Sequence, residues 1–111
     1  MNKLYLSQAA QDDLSEIKVY ISDVLENTSA AISTVEKIIK RIRILKSHAA
    51  AGALLSSIAD VGSDYRFLVS GNYIVFYRES NGEVYVDRVL YGRRDYLRIL
   101  FRDIPEAETF E

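Results

Sequence analysis

Two hydrophobic rhythms divide the chain. From Ala10 to Leu45 apolar residues recur every three or four positions, and from Tyr65 to Tyr91 β-branched and aromatic residues crowd short runs separated by turn dipeptides. The first rhythm predicts amphipathic helices and the second half-buried strands. Ala10, Leu14, Ile17, Ile21 and Val24 form one helical stripe that starts after a Ser7 N-cap and ends near Glu26 and Asn27. Asn27 or Thr28 caps a second helix, with Ala31, Val35, Ile38, Ile42 and Leu45 on its apolar side and Lys37, Lys40, Arg41 and Lys46 outside. So short a connection makes the two helices an antiparallel hairpin. Before them, Lys3 to Leu6 alternates as a short strand. After them, Ser47 to Asp64 loses the helical period and reads as a connection whose apolar residues tuck against the core.

The strand-like runs are Tyr65 to Val69, Tyr73 to Arg78 and Val84 to Tyr91. Gly71-Asn72 and Asn81-Gly82 separate them, and both dipeptides tolerate the positive φ that a tight hairpin turn requires. An antiparallel three-strand meander follows. Beyond Gly92, Tyr96 or Leu97, Leu100 and Phe101 share one face of a short C-terminal helix, opposite Arg94, Arg98 and Arg102. The expected architecture is α+β, an antiparallel sheet of the short N-terminal strand plus the meander, with the helices packed on one face. The other face, or an edge bearing Arg66, Arg78, Arg88 and Arg94, is left for function. The six tyrosines from Tyr65 onward read as cross-strand packing pairs rather than as a base-stacking platform.

At 111 residues, 49% apolar and 27% charged, the composition is that of one soluble globular domain, expected over residues 1–102 with an acidic tail at 103–111. No run approaches the ~20 apolar residues of a membrane span, and the first 15 lack the apolar core of a signal peptide, so a cytoplasmic location is expected. The absence of cysteine excludes disulfides, thiol nucleophiles and cysteine-ligated zinc. Asp12, Asp13 and Glu16 read as the solvated start of a helix, not as a metal site, and His48 as a helix-end or loop residue, so neither a metal nor a cofactor is expected. Residues 1–60 carry seven cations and seven acids, residues 61–102 seven and five, and the segment from Asp103 four acids alone. The domain is therefore mildly positive on the meander side, short of a strongly basic nucleic-acid footprint.

The Tyr65-Arg66 pair, the run from Asn72-Tyr73 to Phe76-Tyr77-Arg78, and Arg88-Val89-Leu90-Tyr91-Gly92-Arg93-Arg94-Asp95 occur in an order and spacing that resembles the RelE/ParE superfamily of type II toxin-antitoxin toxins. With the preceding helices, the likeness covers about the first hundred residues. It implies the same α+β fold. In RelE-like members it also implies ribosome-dependent cleavage of messenger RNA, using basic residues of the meander and a C-terminal tyrosine. On that reading Arg66 and Arg94 keep cationic positions, with Tyr91 and Tyr96 as further candidates. Leu68, Ile74 and Leu100 stand where other reacting groups are expected.

ParE-like members, which act by binding DNA gyrase, resemble the chain better through Tyr65-Arg66, Val75-Phe76-Tyr77-Arg78 and Arg88-Val89-Leu90. On this favoured reading Arg66, Arg78, Arg93, Arg94 and Arg98 are target-binding residues, and no catalytic group is required. The structural alternative for each arginine is an ion pair with Asp64, Asp87 or Asp95. Both readings imply a cognate antitoxin as partner, in a hetero-oligomer, with gyrase or the ribosome as target. A third reading is a non-toxic interaction module with the same fold.

Overall fold

The computed structural model describes residues 1–58 and 63–101. Gly62, Arg102 and the acidic segment from Asp103 lie outside the described residues. In chain order the elements are β1 (Lys3–Leu6), α1 (Gln8–Val19), a π-helical turn (Tyr20–Val24), α2 (Thr28–Ile44), β2 (Ala53–Leu54), a 3-10 turn (Leu55–Ser57), β3 (Arg66–Ser70), β4 (Tyr73–Ser80), β5 (Glu83–Tyr91) and α3 (Tyr96–Leu100). The sheet order is β1-β5-β4-β3-β2.

The expected α+β architecture is present, and the turn chemistry accounts for the meander. Gly71 has φ +58°, while Asn81 and Gly82 have φ +50° and +78°, the left-handed pair that matches the twist of a two-residue hairpin. The N-caps are equally local. Ser7 Oγ accepts from the Ala10 amide at 2.9 Å, and the Asn27 side chain accepts from the Ala30 amide at 3.0 Å.

Four features differ from the sequence reading. First, β1 runs parallel to β5, with Leu4 opposite Val84 and Leu6 opposite Val86. The chain leaving β1 has to rise onto the sheet as α1, and Leu4 and Leu6 pack into the core beneath that helix. Second, α1 gives way to a π turn, in which the Leu25 amide reaches back to the Tyr20 carbonyl. The extra residue in that turn shifts the helical phase. Ala10, Leu14, Ile17 and Ile21 stay buried, but Val24 rotates out to 61% exposure. Third, the stretch read as a connection contributes β2, while the expected packing of its apolar residues on the core is made by the fully buried Leu55. Fourth, the helices do not share one face.

Alternation along the strands separates two apolar clusters. Leu68, Val75, Tyr77, Val84, Val86 and Val89 pack under the hairpin of α1 and α2. Phe67, Ile74, Phe76 and Leu90 pack on the opposite side with Leu55 and with Tyr96, Leu97, Leu100 and Phe101 of the C-terminal helix region. The apolar face expected for α3 is therefore correct, but it covers part of the sheet surface that had been left for function.

Candidate functional site

Strand β5 determines where the basic residues go. Opposite Phe76 and Tyr77 of β4 stand Arg88 and Val86, so Asp87 is an extra, bulged residue. Its carboxylate accepts from Arg78 Nε at 2.8 Å, from Arg78 Nη2 at 3.3 Å and from the Tyr65 hydroxyl at 2.8 Å. Its carbonyl accepts from Ser7 Oγ at 2.7 Å. Hydrogen bonding to Asp87 raises the Arg78 pKa, and burial together with that carboxylate pushes the Tyr65 hydroxyl up to about 12. The Arg78 guanidinium also lies over the rings of Tyr65 and Tyr85, at 6.0 and 5.7 Å from their centroids.

Arg88, the next residue, turns to α1. Its Nε and Nη2 donate to Asp13 at 2.8 and 2.7 Å, and the Val89 amide donates to the same carboxylate at 2.9 Å. Asp13, expected as part of a solvated helix start, is only 6% exposed. Hydrogen bonding to Asp13 raises the Arg88 pKa, so this cation is charged and fixed inside the fold. Arg66 is held as well. Its Nη1 donates to the Gly52 carbonyl at 2.8 Å, while the Tyr77 hydroxyl accepts from the Gly52 amide at 2.9 Å and donates to the Ala49 carbonyl at 2.7 Å. Arg66, Arg78, Arg88 and Arg94 thus do not form one surface. Arg66 pairs across the ladder with Tyr77 on the hairpin side, and Arg78, one residue on, points to the other side.

A different set of cations gathers where β5 ends. The Gly92 amide donates to the Asn72 carbonyl at 2.8 Å, and a Cβ on Gly92 would approach that same oxygen to 3.2 Å, so a residue without a side chain suits the exit from the strand. The Arg94 amide then bonds the Tyr91 carbonyl at 3.0 Å and the Tyr96 amide bonds the Arg94 carbonyl at 2.8 Å, which folds the turn back toward α3. Arg93, Arg94 and Arg98 are all exposed. Among the described residues none of them has an ion-pair partner, since the two ion pairs belong to Arg78 and Arg88.

Two grooves flank this corner. A cavity of about 640 Å³ lies between the helix hairpin and the end of the sheet, walled by Ile17, Tyr20, Ile21, Leu25, Tyr73, Val89 and Tyr91, with Arg94, Asp13 and Glu16 among its lining. A smaller one of about 200 Å³ shares Asn72, Tyr73 and Tyr91 with it and is bordered by Arg93. Tyr73 and Tyr91 are a cross-strand pair in edge-to-face contact, 5.8 Å between centroids at 61°. Burial, then the neighbouring Tyr91 and Tyr20, raises the Tyr73 pKa, so its hydroxyl is neutral at physiological pH. The site is an aromatic ridge with an arginine on each side.

The groups considered for RNA cleavage are dispersed. Tyr91 lies on the hairpin side beside Tyr73, whereas Tyr96 packs on Phe76 on the opposite side at 5.2 Å. Leu68 is buried under the hairpin, and Ile74 and Leu100 belong to the second cluster. Sequence reasoning missed Tyr20 and Leu25 as groove residues because both lie off the regular stripe. Only the π turn brings them to the wall.

The family model of the ParE toxin of type II toxin-antitoxin systems, parDE, matches residues 4–96. No curated protein matches the chain. A solved structure, described as the chromosomal ParDE TA system from P. aeruginosa, superimposes with a TM-score of 0.69 at 22% identity, covering 82% of this chain and 96% of the other. At that identity the superposition establishes the shared fold. The match to the family model spans most of the chain, and the chain belongs to the ParE toxin family of type II toxin-antitoxin systems.

Proposed function

We propose that this ParE-family chain inhibits growth in the cytoplasm by binding DNA gyrase, without covalent chemistry, and that a cognate antitoxin neutralises it. One observation carries the reading. Arg93, Arg94 and Arg98 are exposed on a backbone fixed by the turn after β5, while Arg66, Arg78 and Arg88 are each held by a partner within the chain, Arg78 with its side chain still 43% exposed. Guanidinium groups presented this way suit charge-assisted bonds to carboxylates or phosphates of a large partner, and the aromatic ridge beside them offers apolar area. An RNA-cleaving site requires a base, an acid and phosphate cations converging on one bond. Tyr91 and Tyr96, on opposite sides of the sheet, do not converge.

The test is controlled expression without antitoxin, scoring growth with pulse labelling of DNA and protein synthesis. DNA synthesis fails first on this reading, and Arg93→Gln with Arg94→Gln restores growth while the melting temperature is unchanged. Early arrest of translation with DNA synthesis intact would place the chain with the ribonucleases. Normal growth with soluble, folded protein would make it an inert interaction module.

A further inference from the structure

The net charge of the chain depends on its last nine residues. Up to Arg102 there are fourteen cations and twelve acids, a net +2, and Asp103, Glu106, Glu108 and Glu111 bring the whole to −2. Just before that segment stand Arg93, Arg94 and Arg98, exposed and without an ion-pair partner among the described residues. Asp95, the acid between them, is exposed and caps α3, accepting from the Arg98 amide at 3.4 Å. A surface with three exposed arginines and one exposed carboxylate is thus followed directly in sequence by four acids.

Reach and composition favour contact between the two. Nine residues span up to ~30 Å when extended, whereas the turn and short helix from Arg93 to Phe101, with α3 rising only ~1.5 Å per residue, are more compact than an extended chain of the same length. Tethering supplies an effective concentration on the order of millimolar. The segment also carries Ile104 and Phe110. Next to Arg94 the 640 Å³ groove has apolar walls, including Tyr73 and Tyr91. The arginines therefore complement the acidic residues of the segment and the groove its apolar ones, with Glu16 of the lining as an opposing charge.

We propose that residues 103–111 are a built-in competitor for the arginine corner, docking their carboxylates on Arg93, Arg94 and Arg98 and lowering the affinity of this surface for the anionic groups of a target. The proposal rests on the reading of that corner as the target-binding site. Exposed ion pairs are individually weak and screened by salt. Their sum sets a regulated threshold, not a permanent block, and a partner with more numerous or better placed carboxylates displaces the segment.

The absence of native cysteine makes a direct test clean. A nitroxide spin label on Thr109→Cys, in the full chain, is expected to broaden the NMR signals of the Arg93, Arg94 and Arg98 side chains at low salt. The broadening disappears at 0.5 M salt or when Asp103→Asn, Glu106→Gln, Glu108→Gln and Glu111→Gln are combined. The neutralised chain, without the label, then inhibits gyrase supercoiling at a concentration about tenfold lower, equivalent to ~1.4 kcal/mol. No broadening at low salt, broadening indifferent to the four acids, or equal inhibition by both chains overturns the proposal. Charge-dependent broadening in chains that both leave gyrase untouched would instead refute the gyrase reading and keep the docked segment.

Discussion

Removing the Asp13 carboxylate is the most informative single perturbation of this fold. Asp13 is 6% exposed and its side chain 7%, against 18% for the Arg88 side chain, and the pair is joined by two bonds of 2.8 and 2.7 Å. The same carboxylate satisfies the Val89 amide. Asp13→Ala leaves a guanidinium without its counter-ion in a site with little water, and breaking a buried pair in this way costs about 3–5 kcal/mol. The orphaned Val89 amide accounts for ~1–3 kcal/mol of desolvation that would otherwise be compensated, and it overlaps with the first figure. A loss of about 4 kcal/mol is a large share of the ~5–15 kcal/mol that holds a small domain folded.

Arg88→Met combined with Asp13→Leu separates charge from packing. It removes both ions and keeps side-chain volume, leaving mainly the amide unsatisfied, so the double variant should be destabilised by only about 1–3 kcal/mol. The assay is urea unfolding followed by circular dichroism, with the slope compared between variants to confirm that the same surface is exposed. Coupling of at least about 1 kcal/mol between the two sites is expected from a double-mutant cycle. If Asp13→Ala costs less than about 1 kcal/mol, or if the double variant is as unstable as the single one, the pair is not the buried linkage described and the reasoning fails.

Other perturbations test separate parts of the fold. Gly52→Ala places a Cβ 2.5 Å from the Phe67 carbonyl and 2.7 Å from the Tyr77 hydroxyl, so thermal melts should show a loss of about 1–3 kcal/mol as β2 is pushed off β3. Tyr77→Phe removes the hydroxyl that joins Gly52 and Ala49, and denaturant unfolding should register about 1–3 kcal/mol. Tyr65, with its folded pKa raised from 10.0 to about 12, stabilises the fold fully below pH 10 and loses that contribution as pH rises toward 12. Ultraviolet titration should show Tyr65 among several late-ionising tyrosines, and Asp87→Asn should bring its ionisation earlier. Ser7→Ala, which loses both the cap of α1 and the bond to the bulge carbonyl, should cost about 1–2 kcal/mol in the same unfolding assay.

What the sequence made legible was local. Gly71-Asn72 and Asn81-Gly82 defined the meander because positive φ is a property of single residues, and Ser7 and Asn27 announced their helices through bonds made within three residues. What it concealed was pairing at a distance. Asp13 and Arg88 are 75 positions apart, and no period along α1 distinguishes a carboxylate that meets a guanidinium from one that meets water. The same limit applies to the arginines. Arg66, Arg78, Arg93, Arg94 and Arg98 look alike in a list of charges. Only sheet register gives Arg66 the Gly52 carbonyl and Arg78 the Asp87 carboxylate, while Arg93, Arg94 and Arg98 stay exposed.

The bulge at Asp87 explains why the exposed arginines lie where they do. In an unbroken strand, residues two apart share a face, so Val84, Val86, Arg88 and Leu90 would all point under the hairpin. The observed core takes Val84, Val86 and then Val89, a step of three, and Leu90 packs on the other side. One inserted residue therefore exchanges the faces of everything that follows. It sends Leu90 to the cluster beneath α3 and Tyr91 to the groove beside Tyr73, and it sets the direction in which Gly92 to Arg94 leave the sheet. The same residue bonds Arg78 and Tyr65 through its carboxylate and Ser7 through its carbonyl, so the bulge is held from both layers of the fold. The two ion pairs and the exposed corner are thus consequences of one irregularity in β5. The engaged arginines Arg78 and Arg88 hold the strand in the register that presents Arg93 and Arg94.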